Sequence, residues 1–441
     1  MSDNVKPLPL PNRKPEINFN SSVSLNDFYA YLPDHKYIFS PTGIMCPAAS
    51  VNSRIPDIDG MKAAEWLDMN RSVEQAVWAP GYNHVIENKL LKDGGWVSHK
   101  GLRAFNLYQP PEPVTGNPDD VAPWVDHIRK VYPDGADHII NWLAHRVQYP
   151  GEKVNHALVL GGTQGIGKDT ILEPVKAAVG AWNMQEISPQ AMLASFNGFV
   201  KSVILRVSEA RDLGEMDRFK FYDHSKTYTA SPPDVLRCNE KHMREHSVMN
   251  VCGVIITTNY KSDGIYLPPD DRRHYVAWSE CERETFAEDY WRKLYAWYSA
   301  DGANNVTAFL QSRDLSGFDS KAPPPKTQAW WHIVAANRSQ EESDLEDVLD
   351  RMGRPGAVTI PEIAGWAKSM GSDVYDWLTG SNKRVIPHKM ERAGYVPVAN
   401  DAAKDGRFKI DGKRQPAYCP RGLSLREQLS AIKDLQGQKG S

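Results

Sequence analysis

The residues with the clearest chemistry lie near the middle of the 441-residue chain, in the run Gly161-Gly162-Thr163-Gln164-Gly165-Ile166-Gly167-Lys168-Asp169-Thr170. Its glycines let the backbone curl until successive N–H groups point at one centre. A helix starting at Lys168 adds positive potential from its N-terminus. An ammonium beside such a cradle suits the β- and γ-phosphates of a nucleotide. The spacing GxxxxGK[ST] is met at Gly162, Gly167 and Lys168, but Asp169 stands where a hydroxyl normally holds Mg2+, and Thr170 comes one residue late. Asp169 can offer an oxygen ligand itself, directly or through water. Residues 162–170 are therefore the expected site for ATP, with Asp169 or Thr170 as Mg2+ ligand. A glycine-rich turn can also bind nothing, but the order of strand, loop, lysine and helix speaks against that.

Phosphoryl chemistry further needs an acid near the metal and the attacking water, at the end of a neighbouring strand. The apolar run Ser202-Val-Ile-Leu-Arg-Val207 is followed by Ser208 and Glu209. Serine replaces the first acid of the pair common at this place, which leaves Glu209 to polarise water and meet the metal. A second run, 253–258, ends at Asn259, placed to hydrogen-bond the γ-phosphate or the water. Asp270-Asp271-Arg272-Arg273-His274 then precedes the apolar 275–278. Arg273 is the preferred finger toward a neighbouring subunit's γ-phosphate. Arg272 is its alternative, or an ion-pair partner of Asp270 or Asp271. In isolation, such a turn reads as a surface ion-pair cluster. An acid pair at Asp57 and Asp59 could hold a polymerase metal, but Pro56 and Gly60 flank it and a turn explains it better.

Elements must hold these residues in place. The β-branched runs 157–160, 200–207 and 251–258, separated by helical stretches, predict an α/β domain whose sheet is buried on both faces. Helical spacing recurs over 124–132 and 137–147, and a helix is expected over 168–179. The expected organisation is a disordered tail over 1–20, with prolines at 7, 9, 11 and 15, then an α+β domain over 21–113 with short strands and one helix at 60–67. The ATPase domain follows over 114–300 with a helical lead-in at 120–150, then a linker over 301–330 containing Pro323, Pro324 and Pro325, and a basic domain over 331–441.

Charge and composition narrow the partners. The net charge is −3, from 52 basic and 55 acidic side chains, yet residues 383–441 carry 13 bases against 6 acids. Helices expected at 345–352, 360–370 and 388–393, followed by a hairpin of 407–410 and 413–419 around Asp411-Gly412, suggest a winged helix. Lys383, Arg384, Lys389 and Arg392 fall on or before its third helix, with Arg407, Lys409, Lys413 and Arg414 on the wing. That is the charge layout of a duplex-DNA reader, and equally that of a protein-docking module with a solvated basic face. No apolar run approaches the ~18–20 residues of a membrane span. The five cysteines are scattered, which excludes a CxxC zinc cluster and argues against a disulfide framework. A soluble protein without a membrane partner is expected.

Taken together, "GGTQGIGKDT", the strand ending in Glu209, "ITTNYKSDGIYLPPDDRRHYVAWS" and the upstream "KYIFSPTGIMCPAASVNSRIP" resemble superfamily 3 helicases, most closely the phage and prophage primase–helicase type. The resemblance covers most of residues 35–300. It implies an AAA+-like core, a homo-hexameric ring, ATP-driven unwinding of single-stranded or forked DNA, and work in the cytoplasm of a bacterial host beside a primase or polymerase. The primase–polymerase domain that members often carry is not evident here. In the same families a β-hairpin enters the ring's pore. Its counterpart is 226–251, where Arg237, Lys241, His242 and Arg244 would grip phosphates regardless of sequence. The letters His242-Met-Arg-Glu245-His246 also spell an inverted zinc-protease signature, but their flanks read as strands rather than the helix that chemistry requires. Two rivals remain, a primase–polymerase-related protein and an origin-binding protein with a nucleotide switch.

Overall fold

Five short apolar runs pair into one wholly parallel sheet: β1 (Ala157–Gly162), β2 (Met184–Ile187), β3 (Ile204–Val207), β4 (Gly253–Thr258) and β5 (His274–Ser279), in the order β5-β1-β4-β3-β2. Every residue of β1 and β4 is buried. That is why these runs lack polar alternation, since helices cover both faces. Parallel pairing also brings Gly162, Val207 and Thr258 to one edge, so the glycine loop, Ser208 and Asn259 emerge side by side.

This computed structural model describes residues 23–208, 214–241, 245–261, 264–336, 340–380 and 386–438, and divides into two units at Ile333/Val334. Glu209, His242, Arg244, Lys383, Arg384 and the 1–20 tail lie outside the described residues.

Helices α1 (Ala122–Val131) and α2 (Ala136–Gln148) lead into the sheet, and α3 (Lys168–Val179) starts at the end of the glycine loop. α4 (Gly214–Thr229) follows β3, and α5 (Tyr290–Trp297) and α6 (Ala303–Ser312) follow β5. Pro174 sits inside α3 and cannot donate to the carbonyl of Thr170. The Tyr298 hydroxyl donates to that carbonyl instead, at 3.1 Å. The expected linker over 301–330 is corrected by α6. Val306 and Leu310 lie one turn apart on its buried face, and this helix packs on α2 and α3.

Ahead of the core stand two small sheets, one of Ile44–Cys46, Lys36–Phe39, Phe28–Tyr31 and Ser72–Val73, the other of Gln75–Val77, Gly95–Asn106 and Val85–Lys92. Two helices accompany them, Ala48–Asn52 and Ala63–Asn70, where one was expected. Asp57 and Asp59 are exposed, and Ile58 and Met61 exchange backbone hydrogen bonds around Asp59 (φ 49°) and Gly60 (φ 79°). They are residues of a tight turn.

The strands Val235–Cys238 and His246–Met249 form an antiparallel hairpin. Its base is rooted in the second small sheet, where Val235 and Met249 pack on Val77, Ala79 and Leu91. His246 opens a strand, so the helical face that a zinc-protease reading needs is not formed there.

The second unit holds helices Gln340–Arg351, Ile360–Ser369, Val374–Thr379, Ile386–Arg392 and Leu425–Gln438. Val374–Thr379 and the C-terminal helix were not expected. The hairpin of Phe408–Ile410 and Lys413–Gln415 turns at Asp411 (φ 54°) and Gly412 (φ 69°). The second arm was expected to run unbroken to 419. Instead Pro416, which has no N–H to give a ladder, ends it, and Ala417–Pro420 joins Val358–Thr359 and Tyr395–Val398 in another sheet. Among the described residues no helix is long and apolar enough to cross a membrane.

Arg146 at the end of α2 is fully buried and donates to the carbonyls of Val251 and Tyr149, both at 2.7 Å, and of Glu152. Arg146→Ala leaves the buried Val251 carbonyl, and the part-buried carbonyls of Tyr149 and Glu152, without their donor. It should destabilise the first unit by roughly 3 kcal/mol or more, read as a lower urea midpoint of that unit's transition. An unchanged midpoint would show that water replaces the guanidinium without loss.

Candidate functional site

The glycine loop is shaped from outside as much as by its own sequence. Gly167 has φ 85°, and a Cβ there would lie 2.6 Å from both the His127 imidazole and the Trp291 ring. At Gly161 a Cβ would meet the Trp278 ring at 2.2 Å. Ile166 is fully buried and anchors the loop's inner side. Thr163 Oγ1 donates to the Cys281 carbonyl at 2.9 Å, and the Tyr132 hydroxyl to the Gly161 carbonyl at 3.2 Å.

His127, a residue that sequence reasoning missed, supports the loop from α1. Its Nε2 lies 3.1 Å from the Gly167 carbonyl, which can only accept, so Nε2 carries the proton. Nδ1 then accepts from the Tyr290 hydroxyl at 2.9 Å. Burial lowers the His127 pKa, in keeping with that neutral tautomer.

Lys168 is the centre of the site. Its ammonium donates to the carbonyls of Gly162 (2.7 Å) and Thr163 (2.8 Å) and to Asn259 Oδ1 (2.7 Å). The structure thus brings together the loop lysine and the polar residue at the end of β4. Burial pushes the amine down to about 8, with Arg206 reinforcing and Asp169 opposing. The surrounding cleft is about 440 Å³, and Gln164, Gly165, Ser208 and Thr258 complete its loop and sheet walls.

Two of the three expected metal ligands, Asp169 and Thr170, are engaged by protein, and the third, Glu209, lies outside the described residues. Asp169 is exposed and pairs with Arg206 of β3, which also meets Glu186 at 3.3 Å. The Arg206 side chain is only 12% exposed, and its Nε has no hydrogen-bond partner. Arg206 and Glu186 were missed too, although an arginine inside the apolar run 203–207 was the available signal. Thr170 is buried, with Oγ1 3.0 Å from the Tyr295 hydroxyl. A dication fits Asp169 if it displaces the guanidinium, and fits Thr170 poorly.

Arg272 and Arg273 are not in this cleft. They precede the first residue of β5, which pairs with Ala157 at the opposite end of β1 from Gly162. At about 3.3 Å per residue, that is roughly 17 Å from the loop's start. Arg272 is exposed, and among the described residues no carboxylate pairs with either guanidinium. The expected pairing of Arg272 with Asp270 or Asp271 is therefore corrected. Asp271 turns inward, 3.0 Å from His274 Nδ1, and accepts from the Tyr222 hydroxyl at 3.1 Å. Burial raises its pKa, but the charge and hydrogen bonds from His274 and the bonds from the Arg273 N–H and Trp330 outweigh it and hold the carboxyl below its ordinary value.

Of the residues expected to touch DNA, Arg237 is exposed on the hairpin and pairs with Asp93 at 2.8 Å, and Lys241 is exposed at its tip. In the second unit Lys389 lies 4.6 Å from the Trp377 ring, while Arg392, Lys413 and Arg414 are exposed.

Fold and site define a mixed α/β protein with a parallel sheet and a glycine loop built around a lysine. Residues 160–273 match a family of unknown function, DUF5906. A DNA primase-polymerase of Nitratiruptor phage NrS-1 is 24% identical over 198 residues, which is 44% of this chain, and the chain spans 27% of that relative's length. The apo structure of the NrS-1 C-terminal region matches with a TM-score of 0.61 at 17% identity, over 89% of this chain and 95% of that one. A second apo form of the same region matches with a TM-score of 0.59 at 17% identity, over 89% and 96%. The chain is similar in sequence to part of a phage replication protein, and in fold to that C-terminal region.

The depressed amine makes anion binding pH-dependent with a definite sign. A polyphosphate favours the charged amine, so binding takes up a proton where the free amine is neutral. The association constant for ATP should therefore fall as pH rises through about 8, approaching tenfold per unit above it. Titration calorimetry across this range measures it, and a flat profile would remove Lys168 from the anion contact.

Proposed function

We propose that this protein is a ring-forming, ATP-dependent DNA helicase that works in replication of a phage, prophage or related element. One observation carries the reading. Lys168 and Asn259 meet at the carboxyl edge of a parallel sheet in the order 5-1-4-3-2, as an AAA+-like motor requires. Mg-ATP would lie on residues 162–170, with the loop N–H groups and Lys168 on the β- and γ-phosphates and Asn259 beside the γ-phosphate. Magnesium, if bound, would supply charge neutralisation to the phosphates. Asp169 is the residue present that best fits it. Glu209 is assigned the polarisation of water.

The position of Arg273 supports assembly. It lies too far from its own loop to serve it, whereas in a closed ring the finger of one subunit completes the neighbour's site. Among the described residues no carboxylate pairs with its guanidinium, which suits a phosphate contact. The hairpin, with Arg237 and Lys241, would contact single-stranded or forked DNA in the pore. The basic segment 383–441 of the second unit, read as a winged helix with Lys389, Arg392, Lys413 and Arg414, would contact duplex. A primase or polymerase partner and action in the bacterial cytoplasm belong to the same reading. Burial of Asp57 and Asp59 in a cavity would have favoured a polymerase site, but their exposed turn does not.

The experiment is steady-state ATP turnover with and without single-stranded DNA. Turnover should rise with DNA and disappear in Lys168→Ala. Normal hydrolysis by that variant would refute the site. Glu209→Gln should bind ATP and not turn it over. Turnover without DNA stimulation or unwinding would favour an origin-binding switch.

Arg273→Ala should lower turnover by a factor on the order of 10³–10⁵. Mixed with Lys168→Ala, once both are shown to form rings and exchange subunits, it should recover part of the activity, because some boundaries then pair an intact loop with an intact finger. Mixtures inactive at every ratio would count against a finger supplied in trans.

A further inference from the structure

One side of the cleft is aromatic, and the phosphate-binding assignment leaves it unused. Trp291 and Tyr295 lie four residues apart on α5, hence on one face of that helix, and both line the cleft. The Trp291 indole is held in place: its ring lies beside Gly167 and packs on Phe286 (centroids 4.9 Å) and on His127 (5.6 Å, interplanar 80°). Tyr295 is tethered by its hydroxyl, 3.0 Å from Thr170 Oγ1, yet 40% of the residue is exposed. A ring fixed at its tip, packed edge-on with Tyr298 (centroids 6.0 Å) and still partly exposed toward the cleft, can receive something flat.

The loop sets which part of a ligand arrives there. With the terminal phosphates at Lys168 and Asn259, a nucleotide continues past the first turn of α3. Its sugar and base would then leave the loop beside Thr170, whose Oγ1 meets the Tyr295 hydroxyl. We propose that the Trp291–Tyr295 face is the nucleobase platform of this site and selects purine nucleotides by stacking. Every base offers a π-face, and the two-ring purines offer the larger one. The tether to Thr170 positions the phenol, and its face makes the contact. This inference rests on the reading of residues 162–170 as a nucleotide site.

The test compares ATP, CTP and inorganic tripolyphosphate, which carries the phosphates without a base, on the full chain by titration calorimetry. Tyr295 is the residue to change, because Trp291 also supports Gly167. Tyr295→Leu should weaken ATP binding by roughly 5- to 150-fold, the range for loss of one base–aromatic stack. It should leave tripolyphosphate binding within about twofold and reduce the preference for ATP over CTP. Tyr295→Phe keeps the ring and loses the tether, and should retain most of the ATP affinity.

Four results would overturn the platform while leaving the phosphate site standing: ATP binding unchanged in Tyr295→Leu; ATP and tripolyphosphate weakened equally; Tyr295→Phe as damaging as Tyr295→Leu; or a wild type that binds ATP no better than tripolyphosphate. A wild type that binds neither ATP nor tripolyphosphate would instead refute the nucleotide reading, and the platform with it.

Discussion

A lysine ammonium taken out of water needs acceptors on several sides, and Lys168 finds them only where a parallel sheet ends. Two come from the carbonyls of its own loop and the third from Asn259, 91 residues further along the chain. The strands β1 and β4 must therefore be neighbours and must run the same way. Reversing β4 would carry Asn259 to the far edge of the sheet, and reversing β1 would carry the loop and Lys168 there. The helices on both faces, the buried β-branched strands and the crossover connections are what this requirement costs in chain length.

Much of this was legible in the sequence because the signals are local. Gly162, Gly167 and Lys168 announce the loop, and the bounds expected for α3 coincide with those observed, Lys168–Val179. Apolar runs of strand length identified β1, β3 and β4 as buried strands. What was not legible depends on partners far away in the chain. His127 looks like one more polar residue in a helix until Gly167 and Tyr290 close around it. Arg206 looked like an interruption in a strand, and became part of the site only when β2 and α3 brought Glu186 and Asp169 to it.

The misreadings have the same origin. Residues 303–312 lie between polar and proline-rich stretches, so the ten-residue helix there was overshadowed by its surroundings. Its burial against α2 and α3 is a tertiary fact. The Asp-Gly turn at 411–412 was readable from two residues, whereas the point at which its second arm changes sheets depended on Pro416. Asp271 and Arg272 are adjacent and opposite in charge. Even so the aspartate serves the interior, because His274 and Tyr222 offer it hydrogen bonds that a solvated arginine does not.

The seating of the 235–249 hairpin has a mechanical side. A two-stranded ribbon alone bends easily, since nothing stiffens it across its faces. Here Val235 and Met249 are clamped to Val77, Ala79 and Leu91, and the Met249 N–H reaches the Trp78 carbonyl. The ribbon is pinned a second time near its tip, where Asn197 and Asn239 exchange hydrogen bonds and Lys201 pairs with Glu240 at 2.6 Å. A load applied near Lys241 is therefore shared between the small sheet of residues 75–106 at the root and the 197–201 segment beside the tip. How far the tip can deflect under a given force is set by both supports, the long strand Gly95–Asn106 at the root and the Asn197–Lys201 segment beside the tip.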